Sequence, residues 1–184
     1  AKAAEPEYAL GDAEYEDALG VLERQRNALE RSPSVTANLG EEQIRFLLLI
    51  GRNAIFEGQA MGEVFNASGK TDILIRVMDN NVFVGECKIW RGEAAFRDAI
   101  DQLLSYLNWR DTKGALLLFI RNADVTAVIK KAVTAIEEHP CHVRTIPASA
   151  RAGRQDFVLH ADGDTHHQLR LAFLPFALGP ASNG

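Results

Sequence analysis

An α/β fold is the class this sequence predicts: a mixed β-sheet with helices on both faces. Three observations lead there. Segments with apolar residues at helical spacing alternate with short apolar runs. The run GALLLFIR at 114–121 is apolar at successive positions, so a strand there is covered on both sides. The order helix, three strands, helix, strand suits a sheet that needs helices above and below it.

Each element has a local reason. Residues 1–12 carry no periodic apolar pattern and are expected to be a disordered or linking segment. EYEDALGVLERQRNALER, about 13–31, places Ala18, Leu22 and Leu29 on one stripe, and Ser32-Pro33 is expected to end that helix. EEQIRFLLLIGRNAIF, about 41–56, opens with two acids, as the positive end of a helix dipole favours. Gly58 and Gly62 mark a break, after which strands are expected near 61–67, 71–77 and 82–89. EAAFRDAIDQLLSYLNW, about 93–109, is helical, and 114–121 is a buried strand. ADVTAVIKKAVTAIEEH, 123–139, is an amphipathic helix stopped by Pro140. Short strands are expected near 142–146, 156–160 and 168–176, and residues 177–184 read as a disordered tail. The whole is one domain over 13–176, with its core at 40–121.

The composition sets bounds on function. A chain of 184 residues is long enough for a real core. Its 47% hydrophobic and 24% charged residues are those of a soluble globular protein. No apolar run reaches the ~18 residues of a membrane helix, so no membrane partner is expected. No basic stretch followed by an apolar one marks a secretory signal. Cys87 and Cys141 cannot build a disulfide framework, which points to a reducing cytoplasm. The start at Ala1 rather than Met suggests a fragment of something larger. The net charge of −5 sits unevenly: residues 1–42 hold ten acids and four bases, the remainder fifteen acids and sixteen bases. An acidic total does not exclude phosphate contacts elsewhere on the chain.

The stretch GKTDILIRVMDNNVFVGECKIWRG, 69–92, carries charge where a buried hairpin should not. Side chains alternate along a strand, so Val82, Val84, Glu86 and Lys88 share one face. Asp72 joins them only if it pairs with an even-numbered residue of the next strand. That requires a loop of three or five residues, or a bulge, with Asn80 or Asn81 suited to a left-handed turn position. Two carboxylates brought together this way are hard oxygen ligands for Mg²⁺. Such an ion activates water and neutralises charge on a phosphate, and Lys88 adds a cation beside them. The alternative is a surface salt bridge on an edge strand.

The wider pattern resembles the PD-(D/E)XK nuclease superfamily, the restriction-endonuclease-like fold. Its signature stands here as Asp72 and the run Glu86-Cys87-Lys88, with Thr71 where the Pro of the name would be. Gln102 and Tyr106 in DQLLSYL match the QxxxY element of RecB-like and several bacterial defence nucleases. The resemblance covers about residues 40–121 and implies an αβββαβ core. It also implies a Mg²⁺-dependent nuclease acting on DNA, with Mn²⁺ able to substitute. One setting is the effector domain of a larger bacterial defence protein, as a homodimer or fused to a sensor domain. Asp72, Glu86 and the carbonyl of Cys87 would bind metal, and Lys88 would position or polarise the attacking water. A helix acid, Glu41 or Glu42, completes the set, with Glu41 preferred because it flanks the apolar stripe. Gln102 would assist, braced by Tyr106, and Glu63 is a further candidate acid, though a solvent-facing strand position is favoured for it. A catalytically silent nucleic-acid-binding or assembly module and a nuclease acting on RNA remain as alternatives.

Trp90 is a stacking candidate, though core packing is favoured. Arg91, Arg97, Lys130, Lys131, Arg151 and Arg154 are candidates for phosphate contacts, the loop SARAGR at 149–154 most of all. SGKT at 68–71 lacks the first glycine of a P-loop, since position 64 is Val64. HPCH at 139–142 offers three soft donors but no fourth at structural-zinc spacing.

Overall fold

A computed structural model describes residues 12–56, 72–77, 80–107, 113–147 and 153–182. In chain order they form α1 (Asp12–Glu30), α2 (Pro33–Thr36), α3 (Glu41–Phe56), β1 (Asp72–Val77), β2 (Asn80–Ile89), α4 (Glu93–Tyr106), β3 (Lys113–Ile120), α5 (Val125–Glu137), β4 (His142–Ile146), β5 (Gln155–Ala161) and β6 (Asp164–Ala177). The strands make one mixed sheet in the order β1-β2-β3-β6-β5-β4. The β1–β2 pair is antiparallel, β2–β3 and β3–β6 are parallel, and β6–β5 and β5–β4 are antiparallel. Of the expected core, α3, β1, β2, α4 and β3 are present in that order. The strand expected near 61–67 lies outside the described residues.

Alternation on the central strands sorts the core into two layers. Ala115, Leu117 and Phe119 of β3 and Ala172, Leu174 and Phe176 of β6 pack against α1 and α3. Leu116, Leu118 and Ile120, with Leu171 and Phe173, pack against α4 and α5. Every residue from Gly114 to Ile120 is buried, as the continuous apolar run requires of a parallel strand covered on both sides.

The first helix does end ahead of Ser32-Pro33, at Glu30, and Pro33 has a second part. It opens the one-turn helix α2, where its fixed φ and missing N–H suit the first helical position. Two sequence expectations are corrected. The strand expected at 168–176 is longer, Asp164–Ala177, because its first half pairs with β5 before its second half reaches β3. Residues 178–182 are held rather than loose. Leu178 is buried and donates its N–H to the Ile120 carbonyl, Gly179 accepts from Arg121, and the Ser182 N–H reaches the Ala37 carbonyl at 2.8 Å.

A charged cluster fastens α1 to the sheet. Arg154 donates to both carboxylate oxygens of Glu16 and both of Asp156, each at 2.8 Å. Arg170 adds bonds to Glu16 and Asp156 and lies over the Tyr15 ring. Beneath them Tyr15 is fully buried and donates its hydroxyl to the Gly114 carbonyl at 2.8 Å.

Candidate active site

The β1–β2 register decides whether the charged residues can meet. Only residues 78 and 79 separate the two strands, and Val77 pairs with Asn80. A regular ladder from that turn would put Asp72 opposite Gly85. Instead the register shifts between Ile75 and Arg76: Arg76 pairs with Asn81 and Ile75 with Phe83, so Val82 is skipped. This β-bulge makes Asp72 the cross-strand partner of Glu86. Directly opposed positions of an antiparallel ladder belong to one face of the sheet.

The remaining groups come from β2, α3 and α4. Glu86 has 0% exposure, in a strand segment whose neighbours Val84, Gly85 and Cys87 are also buried. Cys87 points its side chain into the α1/α3 layer, so Val84, Glu86 and Lys88 alternate onto the α4 side. Lys88 is half-buried at the rim of that face. The Cys87 thiol lies in the core, so the ligand role expected of this residue falls to its carbonyl alone.

Glu41 approaches along the sheet edge. The Trp90 N–H donates to the Phe119 carbonyl of β3, so the N–H one residue earlier points away from β3, towards the β1 side. There Glu41 Oε2 accepts the Ile89 N–H at 3.1 Å. The first residue of α3 thus sets its carboxylate beside the residue after Lys88. Glu42 is exposed. Glu63 lies outside the described residues. On α4, Gln102 Nε2 donates to the Tyr106 hydroxyl at 2.6 Å, and both side chains are half-buried on one flank of the helix.

Arg45 is a residue that sequence reasoning does not single out. It stands one turn after Glu41 on α3 and is half-buried. Its Nη1 is shut off from solvent without a hydrogen-bond acceptor among the described residues. Its spacing of four from Glu41 is the signal that could have raised it.

Other candidates have structural partners. Trp90 packs against Phe96 with ring centroids 5.6 Å apart. Arg97 bonds Glu138 and so ties α4 to the end of α5. Arg154 is corrected as a phosphate contact: it is buried, and Glu16 and Asp156 occupy its donors. Arg151 lies outside the described residues. Arg91, Lys130 and Lys131 are exposed. In HPCH, His139 Nδ1 accepts the Cys141 N–H, which leaves Nε2 to donate to Asp101 at 2.7 Å. That ring is a bridge between α4 and α5, not a free ligand.

Among the described residues no group of three His, Cys, Asp or Glu side chains is arranged to hold a metal ion. The donor set around β2 is chemically suited to one nonetheless. Glu86, Glu41 and a backbone carbonyl are hard oxygen donors, and the register brings Asp72 opposite Glu86. Soft donors are absent from that set, so Mg²⁺ or Mn²⁺ fits it better than a thiolate-loving ion.

No protein-family model matches the chain, and comparison with curated proteins and with solved structures finds no match. No helix among the described residues is long and apolar enough to cross a membrane.

Proposed function

We propose that this chain is a Mg²⁺-dependent nuclease of the restriction-endonuclease-like fold that hydrolyses DNA phosphodiester bonds in a cytoplasmic setting. The observation that carries the reading is the bulged register that pairs Asp72 with a fully buried Glu86. An acid buried on an apolar strand is costly to fold, and a metal-ligand role gives that cost a purpose.

In this reading Asp72, Glu86 and the Cys87 carbonyl hold the ion, with Glu41 beside them. When bound, Mg²⁺ lowers the pKa of a coordinated water and offsets charge growing on the phosphate. Lys88 holds the attacking water by a hydrogen bond and keeps a positive charge next to it. The water oxygen bonds to phosphorus as the bond to the leaving oxygen breaks. The water gives up a proton to solvent, and the leaving oxygen takes one from solvent. Gln102, braced by Tyr106, orients a hydrogen bond towards the phosphate side of the site. Glu41 fixes the end of β2 through the Ile89 N–H, which steadies Lys88 one residue before it.

The test is incubation of the purified chain with supercoiled plasmid, linear duplex, single strands and RNA, with Mg²⁺ or with EDTA. Cleavage of DNA only with the metal is expected. Cleavage of RNA alone would move the substrate assignment. Binding of DNA without cleavage under every condition would replace the enzyme with a binding module.

A further inference from the structure

We infer that Arg45 is the anion-binding residue of this site and takes a non-bridging oxygen of the nucleic-acid phosphate. The identity of the anion rests on the nuclease reading. The anion site itself rests on geometry.

Long side chains on a helix lean towards its N-terminus, so a residue covers the turn before its own Cα. Arg45 therefore lies over the turn that carries Glu41, and Glu41 Oε2 is bonded to Ile89 beside Lys88. Residues four apart on a helix have Cβ atoms about 5–6 Å apart, close enough for an Arg–Glu pair. Yet Arg45 makes no ion pair with Glu41, whose carboxylate turns to the β2 backbone instead.

The contrast with Arg26, Arg121 and Arg154 is direct. Arg26 donates to the Gly153 carbonyl. Arg121 reaches the carbonyls of Thr36, Leu39 and Gly179. Arg154 is saturated by two carboxylates. Arg45 Nη1 is equally dry and has no acceptor among the described residues. Buried donors are nearly always satisfied, and an unmet guanidinium N–H is costly. A planar fork of donors one turn from Glu41 matches a non-bridging phosphate oxygen. Mg²⁺ and Lys88 would offset the acids on the metal side, and Arg45 adds a cation on the helix side.

Three readouts on wild type, Arg45→Gln and Arg45→Lys test this. Inorganic phosphate is titrated while the Arg45 Nε–Hε NMR signal is followed, the signal being assigned by its loss in Arg45→Gln. Duplex DNA binding is measured across a salt series with Ca²⁺, and cleavage is measured with Mg²⁺. Phosphate should shift the wild-type signal. Arg45→Gln should lower cleavage roughly 100-fold and reduce the salt slope of DNA binding by about 1, with Arg45→Lys recovering part of both. An unmoved signal, or an Arg45→Gln protein with wild-type cleavage and salt slope, overturns the proposal. Wild-type protein that neither binds nor cuts DNA sinks the nuclease reading instead, and the phosphate titration then decides the anion site alone. If Arg45→Gln fails to fold, Arg45→Lys and the titration still decide.

Discussion

Glu86 is a carboxylate with 0% exposure on an apolar strand. Desolvating such a group costs several kcal/mol even after relaxation. Asp72→Ala and Glu86→Ala should therefore abolish cleavage while leaving a folded protein. A second measurement separates site loss from misfolding. Mg²⁺ should raise the wild-type melting temperature, because it binds only the folded state, and should not raise that of Glu86→Ala. Full cleavage by either variant, free of contaminating nuclease, would falsify the assignment. Glu41 and Glu42 offer a sharper comparison on one helix. Glu41→Gln should lose at least roughly ten-fold in kcat/KM, and Glu42→Gln less than about two-fold, since only Glu41 touches β2. The reverse ranking would mean that the Ile89 contact is purely structural. At this scale much was legible in the sequence, because a charge amid apolar neighbours stands out without coordinates. Arg45 was not, since a charge on a helix flank looks solvated until its surroundings are known.

The elements were legible wherever local signals agree with burial. The helix expected at 41–56 is α3, Glu41–Phe56, and the strand expected at 142–146 is β4, His142–Ile146. The helix expected to reach 109 ends at Tyr106, where Leu107 turns extended. The bulge was foreseen only as one of several ways to satisfy alternation, because nothing in NNVFVG marks which residue drops out. The link from β2 into α4 depends on Gly92, which caps the helix at φ 106° and ψ 168°, a region open to glycine alone. A Cβ there meets open space, so the cost of Gly92→Ala is conformational. It should destabilise the fold by about 1–3 kcal/mol in urea unfolding. Cleavage should also fall, because α4 carries Gln102 and Tyr106. Wild-type stability in this variant would show that the link adopts another conformation.

At the scale of the molecule, the Arg154 cluster joins the start of the chain to its last strands. Sequence alone could not show this, because Glu16 and Arg154 lie 138 positions apart. The Arg154 guanidinium holds the Glu16 carboxyl below its usual range. Burial pushes Asp156 up, but bonds from Arg154 and Arg170 outweigh it and hold that carboxyl below its usual range too. Both pKa values are depressed in the folded state. Their contribution is therefore complete above the ordinary values of 4.5 and 3.8, and is lost as pH falls below them. Thermal melting should show a steep loss of stability below about pH 4.5. Asp12, Glu23 and Arg170 line the same cluster. Arg154→Met should cost about 3–5 kcal/mol at neutral pH, because it strands a buried acid, and should flatten the acid transition. An unchanged acid transition would place the sensitivity elsewhere.

The skipped Val82 leaves six residues of β1 opposite seven of β2, Asn80–Glu86, so the hairpin has one residue of slack. Slack of this kind is tolerance to shortening. With Val82 deleted, six residues face six across the same short turn, and Asp72 still meets Glu86 with no irregularity needed. The shortened hairpin also forfeits the competing alignment in which β1 slides one place and Asp72 faces Gly85. Losing a whole residue a few positions from the acids should therefore leave cleavage and the Mg²⁺-dependent rise in melting temperature intact. A folded deletion variant that no longer cuts would mean that Val82 itself, rather than the alignment it permits, is what the site requires.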